Sequence, residues 1–161
     1  MRLAALEMYI TDVHGIGLND AQGIILCSPF YWDLNDRTRS FTQRLLRDQK
    51  PLTYPTMDHA GCYAGALHYL KAVAAMGVTR AKADGGAVVA QMKAMPVDDD
   101  AFGPASIRQD GRYICPAYLF QVKSPEESKA PWDYYKLLDS LPAEAIWRPL
   151  SEGGCPLVKP T

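Results

Sequence analysis

A chain of 161 residues with 48% apolar and 22% charged side chains is long enough to bury a core and too apolar to remain unfolded, which excludes a disordered or fibrous polymer. Its 17 Lys and Arg stand against 18 Asp and Glu, which excludes a broad attraction to nucleic acid or to an anionic membrane and favours a neutral or zwitterionic small molecule. No apolar run approaches the roughly 20 residues that span a bilayer.

A nearly unbroken apolar run over 3–10, stopped by Thr11 and Asp12, reads as a buried strand of an α/β sheet. The first residues begin like a signal peptide, but Glu7 interrupts them and no small-residue cleavage site follows, so the chain is read as lacking one. A short helix is expected over 13–21. A second buried strand follows over 23–27, bounded by Gln22-Gly23 and Ser28-Pro29. Phe30-Tyr31-Trp32 leads into Asn35-Asp36, whose short polar side chains suit a turn or cap before a helix over 38–47. Pro51 and Pro55 make 49–55 an extended connector.

Asp58 is expected to cap and begin the clearest helix, since Ala60, Tyr63, Ala64, Leu67, Leu70, Lys71 and Ala74 recur at helical spacing. Gly61, Ala64 and Gly65 would let another backbone approach it closely. A further helix over 85–95 has Val88, Val89 and Met92 on its apolar face and ends before Pro96. Asp98-Asp99-Asp100 lacks the Gly and Glu of a calcium loop and reads as a solvated loop. Residues 106–108 and 113–122 flank Gln109-Asp110-Gly111-Arg112, and Asp-Gly between such runs signals a hairpin. The proline-rich remainder, from Pro125 to Pro160, reads as irregular, with one short strand or helix near Tyr134 to Leu138.

No coherent acid, base and nucleophile set is present, so the chain is not read as an enzyme. His59 and Cys62, at i and i+3, have no third ligand in spacing and do not make a metal site. His59 or His68 beside Cys62 could pair as imidazole and thiolate, yet a Cys on an Ala/Gly-rich helix face is better explained as a small core residue. Gly85-Gly86 lacks the spacing and the Lys of a phosphate loop. Cys27, Cys62, Cys115 and Cys155 contain no C-x-x-C and read as buried free thiols, with three full disulfide pairings left open should the compartment be oxidising. No cofactor and no metal are expected.

Several stretches carry a resemblance: Thr11-Asp12-Val13-His14-Gly15-Ile16-Gly17, Phe30-Tyr31-Trp32-Asp33-Leu34-Asn35-Asp36, Leu67-His68-Tyr69-Leu70-Lys71-Ala72-Val73, Tyr118-Leu119-Phe120-Gln121-Val122-Lys123, Pro131-Trp132-Asp133-Tyr134-Tyr135-Lys136 and Glu152-Gly153-Gly154-Cys155-Pro156-Leu157. In order and spacing they resemble the C-terminal part of type I periplasmic binding proteins of the branched-chain amino acid ABC-transporter class. The resemblance implies an α/β fold with parallel strands flanked by helices plus an antiparallel hairpin. It implies that residues 1–161 contribute segments to both lobes of a two-lobed fold, without the signal peptide and the N-terminal lobe. It also implies a periplasmic parent that captures an amino acid or a small carboxylate, aliphatic or aromatic, for an ABC permease. Tyr54, Thr56 and Met57 match the segment that runs from the cleft into the long helix and are carried over as ligand-binding residues. Asp12 and His14, at the end of the first strand, and Tyr31, from the segment near the hinge, join them. The same incompleteness motivates a second reading, a self-associating interaction module without transport activity, with a homodimer through uncovered lobe surfaces as its expected form.

Overall fold

The computed structural model describes residues 3–49, 53–156 and 158. Two three-stranded sheets, each beside its own apolar core, share the chain. In the first, residues 3–5 run parallel to β1 (Ile25–Ser28), the Ala5 amide donating to the Ile25 carbonyl at 2.8 Å and the Ile25 amide to that of Leu3 at 2.9 Å. The strand expected over 3–10 therefore shrinks to a bridge at Ala4. Ile10 instead begins α1 (Ile10–Ile16), because Asp12 accepts the Tyr9 amide at 2.8 Å and closes the helix start, and the helical turn then buries both Ile10 and Val13. Gly17, at φ 89°, breaks the helix before α2 (Leu18–Ala21), so two short helices replace the single one expected over 13–21.

β1 pairs antiparallel with β5 (Ala117–Val122), which pairs antiparallel with β6 (Tyr135–Leu141). Among the described residues parallel pairing is confined to the Ala4–Ile25 bridge. Phe120 and Val122, two apart on β5, point to one face and meet Val13, Leu26, Tyr31 and Tyr135 in the core. Leu119 faces Asp139 whereas Phe120 faces Leu137, so Leu138 is an extra residue in β6.

The second half holds α3 (Asp36–Gln49), α4 (Met57–Met76), α5 (Val78–Ala83) and α6 (Gly85–Ala94), then β2 (Val97–Asp99), β3 (Gly103–Ile107) and β4 (Tyr113–Ile114) in the order β2-β3-β4. Along α4 the buried residues Ala60, Ala64, His68 and Ala72 recur every fourth position, a narrow stripe of mostly small side chains. His68 belongs to this packing: its Nε2 donates to the Met92 carbonyl at 2.8 Å, tying α4 to α6. The acidic run is not a solvated loop. Asp99, buried in β2, accepts the Ala101 and Phe102 amides at 2.9 and 2.7 Å and the Tyr113 hydroxyl at 3.1 Å, while Asp100 accepts the Tyr63 hydroxyl at 2.7 Å and pairs with Arg44.

The hairpin turn forms where Asp-Gly stands: Gly111, at φ 84°, donates to the Arg108 carbonyl at 2.9 Å, and the Arg108 guanidinium grips both Asp110 oxygens at 3.0 and 2.7 Å. Residues 113–122, expected as one strand, split at Cys115-Pro116. β4 stays with the second sheet and β5 joins the first. Beyond β6, α7 (Ala143–Ile146) brings Trp147 back, where its Nε1 donates to the Cys115 carbonyl at 3.0 Å. Pro160 lies outside the described residues.

Candidate ligand cleft

The backbone crosses between the two halves over 28–35 and again at 115–116. Neighbouring residues mark the first crossing: Phe30 packs with Phe41, Ala60 and Ala101, Tyr31 with Phe120 and Tyr135, and Trp32 against both groups. The Tyr31 hydroxyl donates to the Trp132 carbonyl at 3.2 Å and accepts the Tyr134 and Tyr135 amides at 3.2 and 3.4 Å. Burial raises its pKa above the ordinary phenol value. With its hydroxyl used internally, Tyr31 supports the wall of the site and presents no free polar group.

Three segments meet beside Tyr31: Met8, Tyr9 and Ile10 from the first half, Ser28 and Phe30 from the crossing, and Pro55, Thr56 and Met57 at the start of α4. The crevice between them measures about 10 Å³, room for no more than one water. Thr56 is the N-cap of α4, its Oγ1 accepting the His59 amide at 3.4 Å while its own amide donates to His59 Nδ1 at 3.1 Å. The cap falls on Thr56 and not on Asp58, because Thr56 has the extended backbone a cap needs and Asp58 is already helical. Ser28 Oγ donates to the Phe30 carbonyl at 2.7 Å and lies 3.4 Å from Met57 Sδ, which brings the crossing against the helix start.

Of the six residues singled out in the sequence, Tyr31, Thr56 and Met57 line this crevice. His14 and Tyr54 come together a short way off, on Trp132. The His14 imidazole stacks on the indole at 4.2 Å and 13°, with Nδ1 2.8 Å from the Tyr134 hydroxyl. Tyr54 stacks on the same indole at 5.5 Å and 20° and meets Trp32 edge-on at 4.9 Å. Asp12 is exposed in the first turn of α1, occupied by the Tyr9 amide.

Sequence reasoning assigned neither Tyr9 nor Trp132 to the site. The Tyr9 hydroxyl donates to the Glu7 carboxylate, and Glu7 first, then Asp58 in the first turn of α4, push its pKa up; Tyr9 lines the crevice together with Thr56 and Met57. Trp132 is the one non-glycine residue at positive φ, 69°, among those described, a conformation costing on the order of 1–3 kcal/mol unless its surroundings hold it. They do: Trp32 Nε1 donates to its carbonyl at 2.7 Å beside the Tyr31 bond. Pro131-Trp132-Asp133 lies in a stretch with no periodicity, and only the resemblance drew attention to it.

Two larger hollows lie in the second half. One of about 370 Å³ opens between α3 and α4 beside Phe41, Arg44 and Tyr63. Another of about 400 Å³ runs between α4 and the β3–β4 hairpin beside Gly61, Ala64, Gly65, Ile107 and Trp147. Met57 borders both this groove and the crevice.

Among the described residues no three His, Cys, Asp or Glu side chains are placed to share a metal ion, and no helix is long and apolar enough to cross a membrane. His59 serves the α4 cap rather than Cys62. The four cysteines form no disulfide; Cys115 is buried, but Cys27 and Cys62 are exposed, contrary to the expectation of four buried thiols. Desolvation, with Asp99 nearby, pushes the Cys115 thiol up to about 11.

Two α/β halves are thus joined by crossings at 28–35 and 115–116, with Tyr31, Thr56 and Met57 of the candidate residues gathered where they meet. The comparisons name the family of this chain: the periplasmic binding protein family matches residues 1–129. A periplasmic binding protein from Burkholderia mallei is 41% identical, with a TM-score of 0.88 over 99% of this chain and 40% of that one. A branched-chain amino acid ABC transporter periplasmic ligand-binding protein from Burkholderia xenovorans LB400 is 36% identical, with a TM-score of 0.83 over 94% and 39%. A leucine-, isoleucine-, valine-, threonine- and alanine-binding protein from Brucella ovis, 16% identical over 92% and 38%, shares the fold with a TM-score of 0.73. No curated protein sequence matches. The chain belongs to the periplasmic binding protein family, has the α/β fold of its type I members, and spans about 40% of the length of these relatives.

Proposed function

We propose that residues 1–161 form the C-terminal part of the ligand cleft of a periplasmic solute-capture protein, which delivers an amino acid or a small carboxylate to an ABC permease. The observation that carries this is the meeting of residues 8–10, the crossing at Ser28–Tyr31 and residues 55–57 in one crevice at the junction of the halves, on a chain of this family. The name of the Burkholderia xenovorans relative supports the amino-acid side of the reading. Capture needs no turnover. Lobes that close on a small solute change the shape a permease senses, and Thr56, Met57 and Tyr54 would move with α4 while Tyr9 and His14 move with α1. The crevice as it stands is too small for an amino acid, so the proposal requires an open state and groups from the rest of the fold.

Isothermal calorimetry on a version extended to the relatives' length, with leucine, valine, phenylalanine and benzoate, tests it. Binding of at least one, weakened tenfold or more by Tyr54→Ala, is expected. No binding of any would end the proposal. The open groove along Gly61, Ala64 and Gly65 favours a second reading, in which this chain associates with itself; a clean monomer in light scattering counts against it.

A further inference from the structure

We propose that Trp132 is a positioning residue that couples the two halves of the fold, fixing through its indole where residues 54–57 sit against α1. The ligand-cleft reading gives this coupling its purpose, but the coupling itself stands on contacts alone. Trp132 follows β5 in the chain and packs in the core of the first half. Its ring is stacked by His14 of α1 at 4.2 Å and by Tyr54 at 5.5 Å. Tyr54 is two residues before Thr56, whose cap makes it continuous with α4, and α4 packs on α5, α6 and β2 of the second half. A shift of the indole is thereby passed to the start of α4, the longest helix among the described residues.

The backbone is arranged to hold this ring in place. Trp132 keeps φ at 69°, where a turn with no demand on its side chain would favour Gly or Asn. Its carbonyl takes bonds from Tyr31 and Trp32, both on the first crossing, so the crossing and the ring are fixed together. The next residue is also anchored: Asp133 pairs with Lys123 and accepts the Lys129 amide at 2.9 Å. The indole is 8% exposed, which leaves no free face for a ligand ring and makes it a coupling between protein parts. Strain of this kind persists only where surrounding contacts over-determine it, and it gathers at clamps and switches.

Amide hydrogen exchange on the whole ligand-free chain tests the proposal. Trp132→Ala is expected to speed exchange at Tyr54, Thr56 and Met57 at least tenfold, and Trp132→Phe to speed it less, while Val88 of α6 is unchanged in both. An unchanged rate at 54–57, or an equal rise in both halves, would mean that Trp132 only fills the core, and would overturn the coupling. If Trp132→Ala does not fold, Tyr54→Leu tests the same contact from the other side: faster exchange at Asp133 and Tyr134 supports it and no change overturns it. If Trp132→Ala shows the local change while the version extended to the relatives' length binds no solute, the coupling stands and the ligand reading falls. Loss of solute binding by the extended version carrying Trp132→Ala, with unchanged exchange, overturns the coupling instead.

Discussion

The two halves both pack aromatic rings, but only the second sets them beside a helix whose buried stripe is mostly alanine. The first closes β1, β5 and β6 over Phe120, Tyr31, Tyr135 and Trp132, large rings drawn from distant parts of the sequence. The second packs α4 through the small side chains Ala60, Ala64 and Ala72, with Phe30 and Phe41 against Ala60 and Ala81 and Val88 against Ala72. An aromatic core is sensitive to what is removed from it and a small-residue core to what is added. The contrast also shows why the candidate ligand residues lie at the junction. Rings from the first half reach the helix start of the second, so the two kinds of packing meet at Tyr54 and Trp132.

Opposite substitutions should break this contrast most sharply. Phe120→Ala, at a ring that is 1% exposed, is expected to cost about 3–5 kcal/mol of unfolding free energy in a urea titration. Ala72→Leu, in the opposite direction and in the other half, should cost about 1–3 kcal/mol, because the added methylenes have no void to enter. If Ala72→Leu were neutral, α4 would not be packed as closely as described. Thr56→Ala removes the cap of α4 and should cost roughly 1 kcal/mol by the same assay, with Thr56→Ser restoring most of it.

The smallest expected effect concerns pH and the hairpin of the second half. The hydrogen bonds from Arg108 hold the Asp110 carboxyl down to about 2, below its ordinary value near 4. A depressed folded pKa means that stabilisation is fully present above the ordinary value and is lost as pH falls through the folded one. Stability measured from about pH 4 down to about pH 2 should therefore decline in a way that Asp110→Asn does not share, and at pH 7 high salt should reveal only a small difference between the two. A decline of the same size in the variant would sink this assignment.

The existence of the main helices was legible in the sequence: Ala60 and Ala64 in α4 and Val88 and Met92 in α6 stand at helical spacing. The buried stripe of α4 was not, since it continues over about three turns through His68 and Ala72 and leaves Leu70, Lys71 and Ala74 of the expected face exposed, as it leaves Val89 on α6. The Asp110-Gly111 turn was legible because positive φ at Gly111 is a local demand met by a local residue. Residues 3–10 were not, since an apolar run without alternation suits either a strand or a helix start, and the reciprocal bonds of Tyr9 and Asp12 decide for the helix. α5 is only six residues, too short to display a period. β2 was hidden because Val97-Asp98-Asp99 has the composition of a loop, and Asp99 tolerates burial only through partners supplied by residues 101, 102 and 113. Of the candidate site, residues 54–57 were marked by resemblance. Trp132 was marked by resemblance too but given no role, because its bond partner Trp32 lies 100 positions away.

The extra residue in β6 bears on how this protein behaves at high concentration. β6 is the outer strand of the order β1-β5-β6, with Leu137 and Leu138 exposed and no further strand beside it among the described residues. A straight strand of that kind is a template on which a second chain can add itself in register. With Leu138 out of step with its neighbours, an incoming strand that matched Tyr135 and Lys136 would miss at Asp139 and Ser140. An irregularity of this kind makes an edge strand a poorer template for a regular ladder with another chain.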